Sequence, residues 1–233
     1  MTPAGDEAQV GGIVGDFPPA NGQPLADVIC DRVREMLIAG DFGPGEKLLE
    51  QQVAAQFGIS RNTLREVFRL LTSQGLLVHY PNRGVFVAAP GAAAVVDIYR
   101  MRRVIQQGAV QAAIPGHPAL VRMKELARRA KEQAADGDWR AVGTLNMEFH
   151  RAMVELCDSP RLSAAFGLLL AELRLVFGRI RETAVLHTPY IETNGVLVDL
   201  LEQGRLAAAA DELDGYLLKS ERSILAALQR LKS

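Results

Sequence analysis

The sequence predicts a mainly α-helical protein in which three helices and a β-hairpin precede an all-α antiparallel helical bundle. Three observations support this fold class. Apolar residues recur at helical spacing through most of the 233 residues, β-prone runs cluster between Leu76 and Ala88, and glycine or proline clusters separate the apolar segments. Hydrophobic residues make up 48% and aromatic residues 6%, which is typical of a helical protein with a large aliphatic core.

The N-terminal segment and the cysteines indicate the cellular setting. Residues 1–23 are rich in Gly, Pro and Ala and lack a charged segment followed by an apolar core, so we expect a flexible tail rather than a signal peptide. No apolar run approaches the roughly 20 residues that a membrane span needs. Cys30 and Cys157 have no CxxC partner, which argues against a disulfide framework or a zinc ribbon. We therefore expect a cytoplasmic protein.

The first two helices are predicted from apolar spacing and from their terminators. Leu25–Ala39 keeps one face apolar and ends at Gly40, before a turn cluster rich in glycine. Leu49–Phe57 repeats this pattern, and Gly58 supplies a C-terminal stop.

The third helix and a β-hairpin follow directly. Ser60 is a good N-cap for a helix over Ser60–Leu71, in which arginines repeat every four residues on one face and apolar residues occupy another. The runs Leu76–Tyr80 and Gly84–Ala88 are β-prone and are separated by Pro, Asn and Arg, which predicts a hairpin that forms a wing.

The remainder is predicted to be a helical bundle. We expect a flexible tail over 1–23, a first domain over 24–89, a linker over 90–93 and an all-helical domain over 94–233. The predicted bundle helices are about Ala93–Ile114, Pro118–Asp136, Trp139–Cys157, Arg161–Ala184, Tyr190–Gln203 and Arg205–Leu231.

Charge gives mixed evidence on nucleic-acid binding. The net charge of −1 offers no support for binding through bulk electrostatics. However, four of the basic residues fall between Arg61 and Arg83, where only Glu66 opposes them. Phosphate attraction acts over about a Debye length, so this local surplus favours DNA contact more than the average charge does.

Two helices joined by a short turn and followed by a wing form a winged helix-turn-helix, in which the second helix of the pair enters the major groove. Hydroxyl, amide and guanidinium groups at the start of the Ser60–Leu71 helix can contact phosphate or base edges, and Arg83 beside Gly84 can reach a phosphate or the minor groove. The alternative for any one arginine is an ordinary solvated helix face.

The stretch "IAGDFGPGEKLLEQQVAAQFGISRNTLREVFRLLTSQGLLVHYPNRGVFV" resembles the winged helix-turn-helix of the GntR family of transcription regulators. The resemblance implies DNA-contacting roles at the start of the third helix and at the wing tip. Many family members have an arginine where this chain has Gln51, so an amide contact there would alter operator choice. The candidate DNA-binding residues are Gln51, Ser60, Arg61, Asn62, Thr63, Arg65, Arg69, Arg83 and Gly84.

The bundle resembles the FCD effector domain of the FadR subfamily, through "RMRRVIQQGAV", "LNMEFHRAMVELCDSPRL" and "LVDLLEQGRLAAAADELDGYLLKSERSIL". Many FCD proteins hold a divalent metal with an Asp or Asn four residues before a His and two later histidines. Here Asn146 and His150 keep the first pair, whereas Asn194 and Tyr216 occupy the later positions. Because an amide and a protonated phenol are poor ligands for transition metals, we expect no tightly bound metal, with Asn146 and His150 as residual candidates.

The resemblance instead implies a polar pocket for an organic effector. Arg102 matches an arginine that often faces the family's pocket and is the candidate for holding a carboxylate. Gln106, where relatives frequently have Glu, removes an anion and so favours an anionic effector. The candidate effector-binding residues are Arg102, Asn146, His150, Asn194 and Tyr216. The alternative is that His150 is a core histidine and Arg102 a surface charge.

The leading hypothesis is a homodimeric, ligand-responsive transcription regulator that binds a pseudo-palindromic operator, and the resemblance favours repression. A second hypothesis is an architectural or interaction protein that binds DNA without an effector. An enzyme is the third, but the scattered histidines form no HExxH motif, and the sequence contains no GxSxG, P-loop or dinucleotide-binding motif. The sequence therefore predicts a protein that is not an enzyme.

Overall fold

The computed structural model describes residues 24–180 and 183–231, and the predicted tail over 1–23 lies outside them. The described residues form nine helices and one small sheet. In chain order the elements are α1 (Leu25–Ala39), β1 (Lys47–Leu48), α2 (Glu50–Phe57), α3 (Arg61–Ser73), β2 (Leu77–Tyr80), β3 (Gly84–Val87), α4 (Ala92–Ala112), α5 (Pro118–Ala135), α6 (Trp139–Glu155), α7 (Pro160–Phe177), α8 (Thr183–Glu202) and α9 (Leu206–Arg230). The predicted fold class is confirmed.

The turn between α2 and α3 positions the third helix. Gly58 has φ 63° and ψ 29°, a left-handed conformation that glycine adopts without steric cost. Its N–H reaches the last carbonyls of α2, and Ile59 N–H donates to Ala54 at 3.0 Å, which closes the helix end. The apolar side of α3 is buried, and the Cys30 thiol of α1 donates to the Val67 carbonyl at 3.6 Å.

The sheet has one strand more than the sequence predicted. The predicted hairpin is present as β2 and β3, and β1 adds to it in the order β1-β3-β2. β1 pairs antiparallel with β3, with Lys47 opposite Phe86 and Leu48 opposite Val85. Two residues carry too little alternation to be recognised as a strand, so only tertiary pairing reveals β1.

The bundle is built from α4 to α9. Helix α5 packs on α6 and α8, α4 packs on α9, α6 and α7, and α8 packs on α9. Side-chain caps fix the starts of α5, α6 and α7. His117 Nδ1 accepts from Ala119 N–H at 3.1 Å, Asp138 accepts from Ala141 N–H at 2.9 Å, and Ser159 accepts from Leu162 N–H at 3.3 Å.

Two predicted bundle boundaries are wrong. Helix α7 ends at Phe177 rather than near Ala184, because the chain tightens after Gly178, where Ile180 N–H donates to the Phe177 carbonyl at 2.9 Å. Pro189, which the sequence predicted to separate two helices, lies inside α8. Proline removes one backbone donor from a helix, but the packing of α8 on α5, α6 and α9 keeps it continuous.

The described chain divides into two compact units. The first contains residues 24–32 and Lys47–Phe86. The second contains Val33–Glu46 together with the described residues from Val87 onward. The loop after α1 therefore belongs to the same unit as the bundle. None of the helices in the described part of the chain has the length and apolar character of a membrane span.

Candidate nucleic-acid interface and effector site

The N-terminal end of α3 carries several predicted DNA-binding residues. The Ser60 hydroxyl oxygen accepts a hydrogen bond from Thr63 N–H at 3.1 Å, and the two hydroxyl oxygens are 2.9 Å apart. This cap satisfies one of the free backbone donors and defines where the helix begins. Arg61 and Asn62 are exposed in the first turn, beside the positive end of the helix dipole. That arrangement can accommodate a phosphate oxygen.

A line of exposed cations continues along α3. Arg65 and Arg69 follow Arg61 at intervals of four residues, and all three side chains are exposed, whereas the apolar side of the helix is buried. Guanidinium groups at this spacing lie on one helix face, so they can contact neighbouring positions on one groove.

An ion pair links α3 to the first turn of α2. Arg65 Nε donates to Glu50 Oε2 at 3.2 Å, and the two side chains are 65% and 39% exposed. An exposed pair of this kind contributes only about 0–1 kcal/mol, so a phosphate can displace Glu50 at little cost. Gln51 is exposed next to Glu50. Sequence reasoning missed Glu50 because the pair joins residues fifteen apart in sequence.

The wing tip is a tight turn with an arginine on its surface. Arg83 N–H donates to the Tyr80 carbonyl at 3.0 Å, and Asn82 and Gly84 take positive φ values of 61° and 101°. The Arg83 guanidinium lies 5.6 Å from the Tyr80 ring centroid and 5.8 Å from that of Phe86. Cation–π contacts at this distance orient an exposed guanidinium without neutralising it.

Lys47 adds a second cation to the wing. It opposes Phe86 in the β1–β3 pair, and its Nζ lies 5.9 Å from the Phe86 ring centroid. A side chain at Gly84 would meet it, because an added Cβ would lie 3.6 Å from Lys47 Cε. The structure therefore adds Lys47 to the candidate DNA contacts.

The predicted effector residues form one hydrogen-bonded cluster. We define the buried polar cluster as Arg102, Gln106, Asn146, His150, Asn194 and Tyr216. Its hydrogen bonds run from Arg102 Nε to Gln106 Oε1 (3.3 Å), Gln106 Nε2 to His150 Nδ1 (2.7 Å), His150 Nε2 to Tyr216 Oη (2.9 Å), Tyr216 Oη to Asn146 Oδ1 (3.1 Å) and Asn194 Nδ2 to Asn146 Oδ1 (2.8 Å). Gln106 completes this chain, although the sequence did not place it among the site residues.

The donors and acceptors assign the proton on His150. The Gln106 amide nitrogen can only donate, so His150 Nδ1 accepts and the ring proton lies on Nε2. His150 Nε2 then donates to Tyr216, whose hydroxyl donates to Asn146. Burial lowers the pKa of His150 well below its ordinary value, and the positive charge of Arg102 lowers it further. The imidazole is therefore neutral at physiological pH.

Arg102 is a buried cation. Its side chain is among the largest fully buried ones, its guanidinium lies 4.8 Å from the Tyr99 ring centroid, and its Nε donates to Gln106. Among the described residues, no carboxylate lies within ion-pair distance of it. Burying a charge without a counter-charge costs on the order of several kcal/mol. An anionic ligand bound to Arg102 would recover this free energy.

The cluster does not fit the metal that many FCD proteins hold. A metal ligand must offer a free lone pair, but His150 Nδ1 already accepts from Gln106 and His150 Nε2 carries the proton. Asn146 Oδ1 accepts two hydrogen bonds already. Burial also raises the pKa of the Tyr216 hydroxyl, which opposes a phenolate ligand. Within the described part of the chain, no group of three or more His, Cys, Asp or Glu residues is arranged for a metal.

Asn194 has one more feature that the sequence could not reveal. Its Nδ2 donates to Asn146, but its buried Oδ1 has no hydrogen-bond partner. A buried acceptor left unpaired costs about 1–3 kcal/mol, so a ligand donor at this position would be favoured. His187, which lies seven residues before Asn194, packs against the Phe177 ring, with ring centroids 5.3 Å apart.

Two family profiles match the chain. Residues 25–87 match the profile GntR, described as bacterial regulatory proteins of the gntR family. Residues 97–218 match the FCD domain. The first range contains the helix-turn-helix and both strands of the wing, and the second contains every residue of the buried polar cluster.

Individual proteins show the same similarity. The HTH-type transcriptional regulator YdhC of Bacillus subtilis is 30% identical over 150 residues, which cover 63% of this chain and 67% of YdhC. The probable D-xylose utilization operon transcriptional repressor of Paenarthrobacter nicotinovorans is 25% identical over 181 residues, covering 76% of this chain and 80% of that protein. Both are described as regulators of transcription rather than as enzymes.

A solved structure agrees with the fold. The crystal structure of a candidate GntR transcriptional regulator from Rhodococcus sp. RHA1 superposes with a TM-score of 0.79 at 35% sequence identity. The superposition covers 87% of this chain and 98% of that one. The likeness therefore extends over both the winged helix-turn-helix and the bundle.

Proposed function

Since the chain belongs to the GntR family of bacterial regulatory proteins and carries an FCD domain, we propose that it is a repressor whose operator affinity depends on an anionic effector. Transcriptional regulation follows from the family. The operator contacts, the effector and the direction of regulation are the proposal. Repression is supported by the relative that is described as an operon repressor. Such a regulator acts in the cytoplasm on chromosomal DNA.

The proposal assigns separate roles to separate regions. Residues 24–89 bind DNA, 90–93 link the domains, and 94–233 bind the effector and dimerise. The DNA contacts come from Gln51 on α2, from the exposed donors of α3 and from the wing. These contacts are the predicted residues Gln51, Ser60, Arg61, Asn62, Thr63, Arg65, Arg69, Arg83 and Gly84, together with Lys47 of β1.

Arg65 provides the sharpest test of the DNA interface. The probe is a duplex that the wild-type chain selects from a random library, titrated at several salt concentrations. Arg65→Ala should weaken binding about tenfold and reduce the salt slope by about one, because one phosphate or base contact is lost. Arg161→Ala, which removes an exposed arginine of α7, should change neither quantity. Wild-type affinity and slope for Arg65→Ala would refute the assigned role.

The buried cation Arg102 is the observation that supports an anionic effector. A carboxylate offers its two oxygens to a guanidinium in a geometry that neutral ligands cannot match. The unpaired Oδ1 of Asn194 would accept from a hydroxyl or amine on the same molecule. The expected effector is therefore a small organic acid with an additional hydrogen-bond donor.

A thermal-shift screen tests this effector class. Short-chain hydroxy acids, amino acids and sugar acids are compared with their amides, using the full chain. An acid that binds only the native state raises the melting temperature, and its amide should not. Arg102→Gln should abolish the shift, whereas Arg100→Gln, on the exposed side of α4, should retain it. If no acid in the panel shifts the wild-type chain, the buried polar cluster serves packing alone and the effector proposal fails.

A further inference from the structure

A cavity in the second compact unit is lined by none of the residues of the buried polar cluster. Its volume is about 300 Å³, and it is lined by the loop after α1 and by α6, α7 and the start of α8. All of the lining residues belong to the same compact unit. We refer to it as the Arg174 cavity. The residues that the argument uses are Phe42, Trp139, Arg140, Arg174, Phe177 and His187.

Arg174 is a half-buried cation in this cavity. Its Nη2 donates to the Ala39 carbonyl at 3.3 Å, and no carboxylate among the described residues lies within ion-pair distance of it. Burial lowers the pKa of Arg174, and the neighbouring Arg140 lowers it further. Both effects penalise the positive charge, so a negative group placed beside it would be stabilised.

The cavity has an excess of positive charge. Arg140 Nη2 donates to Asp41 Oδ1 at 2.8 Å, so this carboxylate, which also acts on Arg174, is already paired. Burial, reinforced by Arg174, lowers the pKa of His187 to about 4, so this imidazole is neutral at physiological pH. The described groups therefore leave one guanidinium charge unbalanced.

Gly143 makes room for this arrangement. A Cβ at that position would lie 2.8 Å from His187 Nε2 and 2.9 Å from Arg174 Nη1. Real Cβ atoms do not approach other heavy atoms so closely, so a larger residue would push the imidazole and the guanidinium out of place. A glycine within α6 costs about 0.5–1 kcal/mol in helix stability, and here it permits the close approach of the two side chains.

The rest of the wall is apolar. The rings of Phe42, Trp139 and Phe177 line the cavity beside the guanidinium groups. A pocket of a few hundred Å³ with apolar walls and a few convergent polar groups has the form of a small-molecule site. Its volume of about 300 Å³ is sufficient for one ring with a short substituent.

We propose that the Arg174 cavity binds a small aromatic monocarboxylate. The carboxylate accepts hydrogen bonds from Arg174, with Arg140 released from Asp41 to provide a second donor, and the ring packs between the aromatic side chains. This site is separate from the effector site proposed at Arg102. The proposal for the Arg174 cavity does not depend on which ligand binds at Arg102.

The test uses Trp139, which is the single tryptophan of the chain and lines the cavity. Benzoate is titrated into the full-length protein while tryptophan fluorescence is recorded, and benzyl alcohol serves as the neutral analogue. We expect a saturable change with benzoate in the millimolar range or below, and none with benzyl alcohol at the same concentrations.

Variants identify the binding site. Arg174→Gln should weaken benzoate binding about tenfold, and Arg140→Gln about threefold, because each removes a charged donor. Arg140 is exposed, so its variant remains informative if Arg174→Gln does not fold. Arg161→Gln, a matched charge change at the other end of α7, should keep wild-type affinity.

Each of the following results would overturn the proposal. These are the absence of a saturable benzoate signal, an equal response to benzyl alcohol, and undiminished binding in both Arg140→Gln and folded Arg174→Gln. Loss of the signal in Arg102→Gln with retention in Arg174→Gln would place benzoate at the other site, which would also refute the Arg174 site.

Discussion

Individual side chains in the buried polar cluster each have a defined hydrogen-bonding role. Gln106 is central because its amide accepts from Arg102 and donates to His150. It therefore orients a buried cation and sets the tautomer of an imidazole. A glutamate at this position would place a carboxylate beside Arg102, whereas the neutral amide leaves that charge available for a ligand.

Replacing Gln106 tests this role in the free protein. Gln106→Leu should lower the free energy of unfolding by about 2 kcal/mol, because Arg102 Nε and His150 Nδ1 lose their partner inside the core. Gln111→Leu makes the same chemical change at an exposed position of α4 and should stay within about 0.5 kcal/mol of wild type. Denaturant unfolding measures both. Equal stability of the two variants would show that the Gln106 hydrogen bonds contribute nothing.

His187 makes stability depend on pH. Its pKa falls from 6.5 to about 4 in the folded chain, so the unfolded chain binds more protons between these values. Stability is therefore lost as the pH falls below about 6.5, and His187 accounts for about 2 kcal/mol of that loss at pH 5. His150 shifts stability in the same direction.

This contribution is measured by denaturant unfolding of wild type and His187→Leu at about pH 7.5 and about pH 5. The variant should lose about 2 kcal/mol less than wild type over that interval. Gln111→Leu, which changes an exposed residue without an ionisable group, should keep the wild-type pH profile. An unchanged pH dependence in His187→Leu would mean that the imidazole titrates freely in the folded chain.

At the scale of the element, the start of α3 combines a structural cap with the proposed DNA-binding surface. Ser60 stabilises the helix by accepting from Thr63 N–H, and its exposed hydroxyl is also a proposed DNA contact. These two roles respond differently to charge. Aspartate is as good an N-cap as serine, but its carboxylate repels phosphate.

Two substitutions at Ser60 separate these roles. Ser60→Ala should lower the free energy of unfolding by about 1 kcal/mol through loss of the cap. Ser60→Asp should keep wild-type stability and weaken binding to the selected duplex about tenfold or more, since charge repulsion is added. Denaturant unfolding and duplex titration give the two readouts. Wild-type DNA affinity in Ser60→Asp would place this helix end away from the phosphates.

At the scale of the whole molecule, the net charge of −1 gives no bulk attraction to DNA, so the proposed DNA affinity depends on where the cations lie. The cations that the structure assembles on α3 and the wing come from separate sequence segments, and Lys47 joins them through β1. One such surface provides few phosphate contacts. The proposed homodimer doubles them and makes the spacing of two half-sites part of recognition.

The dimer proposal predicts how the operator is read. The duplex selected by the wild-type chain should contain two related half-sites, and scrambling one of them should weaken binding by about two orders of magnitude, because half of the contacts are lost. Gel-shift titration measures the loss, and sedimentation gives the mass of the complex. A single copy of the chain bound with full affinity to one half-site would exclude dimeric recognition.

The sequence predicted the local features of this protein well. Helical periodicity, the Ser60 cap and the Gly58 stop depend on neighbouring residues, so they could be read directly, and the structure and comparisons confirm the fold class and the family resemblance. The roles of the candidate DNA and effector residues stay predictions.

Only the tertiary structure decided which distant residues meet. It added β1 and Lys47, kept α8 continuous through Pro189, and joined Arg102 to Asn194 through a chain of hydrogen bonds. It also exposed the Arg174 cavity, whose walls come from four separate parts of the chain. The reason is physical: caps and periodicity act within a few residues, whereas burial, pKa shifts and unpaired charges depend on which segments pack together.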